Sequence, residues 1–102
     1  MPDLKRADCS NNSITLLNLA SNTALTFLNV NSNSLTELNV SKNIMLDSLN
    51  CSANSISDLD VSGNTALEFL CCNYNPISGL DLSKNIILKE RPMNQASQLF
   101  PV

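Results

Sequence analysis

Asparagine stands at residues 12, 22, 33, 43, 54, 64, 75 and 85, a series that steps by 10 and 11 residues in strict alternation. A polar residue recurring at a fixed interval has to occupy the same place in successive copies of one structural unit. The rest of each unit keeps step with it. Leu25-x-x-Leu28-x-Val30-x-x-Asn33-x-Leu35 returns 21 residues later as Leu46-x-x-Leu49-x-Cys51-x-x-Asn54-x-Ile56, and again as Leu67-x-x-Leu70-x-Cys72-x-x-Asn75-x-Ile77. An earlier copy, Leu4-x-x-Ala7-x-Cys9-x-x-Asn12-x-Ile14, carries a small residue at its second position. Between these eleven-residue units lie ten-residue ones with the same inner pattern: Leu17-x-Leu19-x-x-Asn22, Leu38-x-Val40-x-x-Asn43, Leu59-x-Val61-x-x-Asn64 and Leu80-x-Leu82-x-x-Asn85.

Alternation such as Leu28-x-Val30 puts two side chains on one face of a short strand, and three residues later the chain must turn. Asn suits that corner because its amide donates and accepts at once, so corner backbone groups buried between stacked units find partners. Both halves of the 21-residue coil carry the alternation. The pattern therefore predicts a β-rich solenoid with little or no helix, its short parallel strands stacked on two sides. At about 4.8 Å per coil, four coils make a rod on the order of 20 Å long. Composition fits this better than a globule: only 15% of residues are charged and 4% aromatic, while 16 Asn and 14 Ser supply polarity at fixed offsets.

The spacing L-x-x-L-x-L/C-x-x-N-x-L resembles the leucine-rich-repeat family, and the nested 10/11 alternation is similar to its short bacterial subclass. Leu38-Asn39-Val40-Ser41-Lys42-Asn43 and Leu59-Asp60-Val61-Ser62-Gly63-Asn64-Thr65-Ala66-Leu67 carry that subclass's wording. The resemblance covers roughly residues 4 to 88. It implies a non-enzymatic module that binds other macromolecules, and an extracellular or cell-surface setting. Residues 1–88 are expected to form the solenoid of about four coils, and residues 89–102 a degenerate cap or loose tail, since Arg91 stands where a core residue belongs and Pro92 restricts strand pairing. Solenoid ends need polar caps. Neither end shows one, which reads as a fragment of a longer array.

Several function classes drop out. The net charge is -3 and no Lys or Arg lies between Lys42 and Lys84, so a phosphate-neutralising patch is missing and nucleic acid is not an expected ligand. Asn or Ser interrupts every apolar run before it approaches the roughly 20 residues of a membrane span. Residues 1–8 hold no apolar segment of the signal-peptide kind. With no histidine, the commonest general base and zinc ligand is absent. Ser41-Lys42 and Ser83-Lys84 diverge on an extended backbone, so they make no dyad. No catalytic group and no cofactor or metal site is assigned.

Cys9, Cys51 and Cys72 share a core column with Val30 and read as small buried hydrophobes. Cys51 and Cys72 would stack in adjacent coils, close enough for a bridge only if local geometry permits. Cys71 faces outward. Asp58, Asp60 and Asp81 group on one face; a calcium site there lacks identifiable carbonyl ligands, and a solvated acidic face is the simpler reading. The sequons at Asn11, Asn39 and Asn50 follow from composition and matter only in a glycosylating pathway.

The outward face of the eleven-residue units remains. Its columns are read as Ala7, Phe27, Ser48, Phe69; then Asp8, Asn29, Asn50, Cys71; then Ser10, Asn31, Ser52, Asn73, with Tyr74 at the edge. Aromatics over a field of small amides suit a contact surface for a protein or glycan. The competing structural reading is that Phe27 and Phe69 cover coil edges. The expected function is a binding or adhesion module using Phe27, Asn29, Asn31, Ser48, Asn50, Ser52, Phe69, Cys71, Asn73 and Tyr74. A spacer self-associating through uncapped ends is the alternative. An ice or crystal-surface binder is a third, weakened by the two Phe rings that interrupt the ladder.

Overall fold

The structure, a computed structural model, describes residues 2–89. Each eleven-residue unit contributes one short strand: β1 (Arg6–Asp8), β2 (Phe27–Asn29), β3 (Ser48–Asn50) and β4 (Phe69–Cys71). They form a single parallel sheet in chain order. The register advances one repeat per strand, so Arg6 lies beside Phe27, Phe27 beside Ser48 and Ser48 beside Phe69. Parallel neighbours consecutive in sequence require each connection to travel once around the core, which makes the chain a β-solenoid. Among the described residues no helix forms, and none is long and apolar enough to cross a membrane.

The interior is aliphatic. The middle residues of β2, β3 and β4, Leu28, Leu49 and Leu70, point inward with Val30, Cys51 and Cys72, and meet Leu38, Val40, Leu59, Val61, Leu80 and Leu82 from the ten-residue units. Among the described residues no aromatic ring is part of this core. No disulfide joins any of Cys9, Cys51, Cys71 and Cys72. Burial, reinforced by the neighbouring Cys72 and Cys71, pushes the Cys51 thiol far up, so it packs as a small apolar group instead of reacting.

The strands occupy one side of the coil, where two had been expected. On the ten-residue side the N–H groups are taken up locally. Those of Ala20, Ser41, Ser62 and Ser83 donate to the side-chain oxygens of Asn18, Asn39, Asp60 and Asp81, and those of Asn22, Asn43, Asn64 and Asn85 close turns onto Leu19, Val40, Val61 and Leu82. The same side-chain turn also follows the strands, at Asn31 and Ser52, where the Val30 and Ser32 N–H groups still reach the next coil. Alternation fixes where side chains point, but not whether backbones of neighbouring coils pair.

The corner asparagines accordingly do two kinds of work. In the eleven-residue units, Asn54 Nδ2 donates to the Val30 carbonyl of the preceding coil and to Cys51 and Ser52 of its own, while Oδ1 accepts from Leu35 N–H at 3.0 Å. Asn33 and Asn75 repeat this toward Ile14 and Ile56. In the ten-residue units, Asn43 Nδ2 donates to the carbonyls of Leu19 and Asn22 one coil back, Asn64 to Val40 and Asn43, and Asn85 to Val61 and Asn64. Asn12, in the first coil, donates only within its own coil, to Cys9 and Ser10. Asn22 accepts from Asn43 through its backbone carbonyl.

Just before each eleven-residue corner the backbone turns left-handed, at Asn11, Ser32, Ala53 and Tyr74, with φ between 56° and 62°. Asn tolerates this conformation; Ser, Ala and Tyr are strained in it.

Two stability outcomes follow. Asn54→Ala strands buried groups of two coils and should cost about 1 to 3 kcal/mol, whereas Asn12→Ala should cost less because no second coil depends on it; thermal melts of the two variants give the comparison. Ala53→Gly relieves left-handed strain and should raise stability by about 1 kcal/mol despite glycine's added unfolded-state entropy, read as a higher denaturation midpoint.

Candidate functional site

The exposed side of the sheet is built by alternation within each strand: the middle residue goes inward and its neighbours go out. The first outward column is Arg6, Phe27, Ser48, Phe69. Ala7, read from sequence as the member of this column, instead pairs with Leu28 and packs against the core. Subtracting 21 from 27 gives 6, so strict counting would have found the arginine. Its guanidinium sits 4.2 Å above the centre of the Phe27 ring, a cation–π contact that leaves Phe27 half-buried. Phe69 is the more open of the two, at 47% exposure.

Phe27 and Phe69 are two strands apart, roughly 10 Å at ordinary strand spacing. Ser48 lies between them and is half-buried. The column thus sets a small hydroxyl residue between two aromatic ones.

The second column is Asp8, Asn29, Asn50, Cys71. Its first three members fold back on the turn that follows: Asp8 Oδ1 accepts from Ser10 N–H and hydroxyl at 3.0 and 2.7 Å, Asn29 Oδ1 from Asn31 N–H, and Asn50 Oδ1 from Ser52 N–H. The Ser10 hydroxyl, with its N–H, holds the Asp8 carboxyl below the usual range. Pinned in this way, Asn29 and Asn50 present fixed amides, which cost little further ordering on contact. Cys71 breaks the series with an exposed thiol. In the third column Asn31 Oδ1 accepts from the Ser32 hydroxyl, and Asn73 keeps a buried Oδ1 without a protein partner. Tyr74 stands at the edge, 66% exposed and held at φ 60°. The sheet therefore brings Phe27, Asn29, Ser48, Asn50, Phe69 and Cys71 together on its strands, with Asn31, Ser52, Asn73 and Tyr74 on the turns that follow.

The opposite side offers a groove of about 430 Å³ between the second and third coils, lined by Thr36, Glu37, Asn39, Ser57, Asp58 and Asp60 among others. The hydroxyl and N–H of Ser62 lower Asp60, and those of Ser83 lower Asp81. These carboxylates are engaged in their own turns, and among the described residues no group of three or more His, Cys, Asp or Glu is placed to hold a metal ion.

A feature that the sequence reading passed over lies at the corner leading into the sheet. Ile44 and Met45 are 60% and 54% exposed, and Ile86 and Ile87, two coils on, are 85% and 47% exposed. The intervening coil carries Thr65 and Ala66. Lining up the residues after each ten-unit Asn would have shown it.

No protein-family model matches the chain, and no curated protein matches it. Among solved structures it is similar to the functional domain of InlJ from Listeria monocytogenes, described as including a cysteine ladder, with a TM-score of 0.82 and 39% sequence identity over 83% of this chain. The chain spans 19% of that one's length. The column of Cys9, Val30, Cys51 and Cys72 is this chain's own run of stacked cysteines, with one interruption. InlJ is an internalin with leucine-rich repeats. With the repeat spacing and the single parallel sheet beside this likeness, the chain is a solenoid of the leucine-rich-repeat family.

Proposed function

We propose that the chain is a non-enzymatic binding module, and that it docks a protein partner on the outward face of β1 to β4. The carrying observation is the column in which Phe27 and Phe69 flank Ser48, set among Asn29 and Asn50 amides already fixed by their own turns. Rings at a spacing of roughly 10 Å can grip one apolar side chain of a partner, while fixed amides around them supply orientation. Arg6 extends the same surface with a cation steadied on Phe27. The likeness to a leucine-rich-repeat internalin supports a protein-binding or adhesion role, and a cell-surface or secreted setting is the corresponding proposal for location.

The test begins with arrays of protein ectodomains and of glycans, probed with the folded chain. Phe27→Ala combined with Phe69→Ala should weaken the specific protein hits by about 2 kcal/mol or more, with a melting temperature close to the parent's. Asp58→Asn combined with Asp60→Asn, on the other side of the coil, should leave them unchanged. Loss of binding in the acidic variant with a silent Phe pair would place the site on the wrong face. A fall in melting temperature that accounts for the whole binding loss would make the two rings edge covers.

A further inference from the structure

The corner ridge of Ile44, Met45, Ile86 and Ile87 has no part in the face just described. At Ile44 and Met45 exposure does not come from lying at an end of the stack, since they have a coil on either side and remain more than half exposed. Apolar side chains this open, repeated at one corner, mark an interaction surface. The equivalent corner elsewhere is Thr23-Ala24 and Thr65-Ala66. Ordinary packing of the corner therefore accepts small or polar residues, and the bulky pairs are not there to fill the coil.

We infer that this ridge is a lateral interface for a second copy of the chain, lying parallel to the first about a two-fold axis that runs along the stack. In that arrangement each level of one copy meets the same level of the other. Ile44-Met45 packs on its own counterpart, Ile86-Ile87 on its counterpart, and the smaller Thr65-Ala66 level lies between. A second copy is the one partner guaranteed to carry the same alternation at the same rise.

The flanking charges select this orientation. Lys42 precedes the ridge and Asp47 follows it, so they border it on opposite sides, and both are exposed. A two-fold along the stack exchanges the two borders and sets each Lys42 against the other copy's Asp47. One level up, Gly63 faces Glu68. At the last level Lys84 faces Lys89, whose charge is already matched by Glu68 at 3.3 Å within its own chain. An antiparallel pairing would instead set Lys42 against Lys84, like against like, and bring Asp47 to Lys89, which Glu68 already holds within its own chain.

The experiment is sedimentation equilibrium of the full chain, with reductant to keep the exposed Cys71 from cross-linking, over about 5 to 500 µM, which spans weak association. The expected result is a monomer–dimer equilibrium that stops at two. Ile44→Ser with Ile86→Ser should weaken it roughly tenfold or more. Lys42→Glu should also weaken it, and adding Asp47→Lys should restore it; melting curves check that these surface variants fold. A monomer across the whole range overturns the inference. So does growth beyond the dimer that survives the Ile variant, which would mean stacking through the coil ends, and so does failure of the charge-swapped pair to recover.

Discussion

Side-chain amides at the inner corners bind one coil to the next, and the rest of the molecule depends on them. A 21-residue coil cannot bury its apolar side chains alone; it needs a neighbour above and below. Stacking then traps backbone groups at every corner, where an unpaired donor or acceptor costs about 1 to 3 kcal/mol. Asn33, Asn54 and Asn75 meet this cost on both counts, donating to a carbonyl of the preceding coil and accepting one of its N–H groups. Asn43, Asn64 and Asn85 meet it with the donor half only; their Oδ1 atoms are buried without a protein partner. The two corners are therefore unequal: the one that follows each strand is fully paired, and the one that leads into the next strand is not.

That asymmetry explains why one side of the coil is the better platform for contact. Where strands pair, the outward side chains are set at a regular interval on a backbone that cannot shift independently, and the residues after each strand are locked by short turns. The ten-residue side has the same side-chain periodicity and the same short turns but no ladder between coils, and its exposed groups are mostly short hydroxyls and carboxylates. The left-handed corners at Ser32, Ala53 and Tyr74 are the strain that accompanies so tight a path. Tyr74 carries that strain with its ring largely in solvent, which packing inside this chain does not explain.

The coil, its length and its core columns were legible because they rest on side-chain period, which sequence records directly. The second set of strands was misjudged for the complementary reason. Leu38-x-Val40 and Leu28-x-Val30 look alike, yet whether their backbone pairs with a neighbouring coil is set by backbone path. The left-handed corner was hidden because Ser, Ala and Tyr fill a position where Gly or Asn would have announced it; only Asn11 does. Placing Ala7 beside Phe27 was a slip of one residue, and in a strand one residue exchanges inside for outside, which is how Arg6 was missed. The fate of Arg91 and Pro92, expected to end the repeat, lies outside the described residues.

Amide hydrogen exchange tests the central claim most directly. The N–H groups of Leu35 and Ile56 face no strand partner and are held instead by the Oδ1 atoms of Asn54 and Asn75. If those amides bind coil to coil, both N–H groups should exchange as slowly as the strand amides of Leu28 and Leu49, through global unfolding, and Asn75→Ala should release Ile56 selectively while Leu35 stays protected. Rapid exchange at Leu35 and Ile56 in the parent chain, with the strand amides still protected, would show that the sheet and the aliphatic core hold the stack without the corner amides.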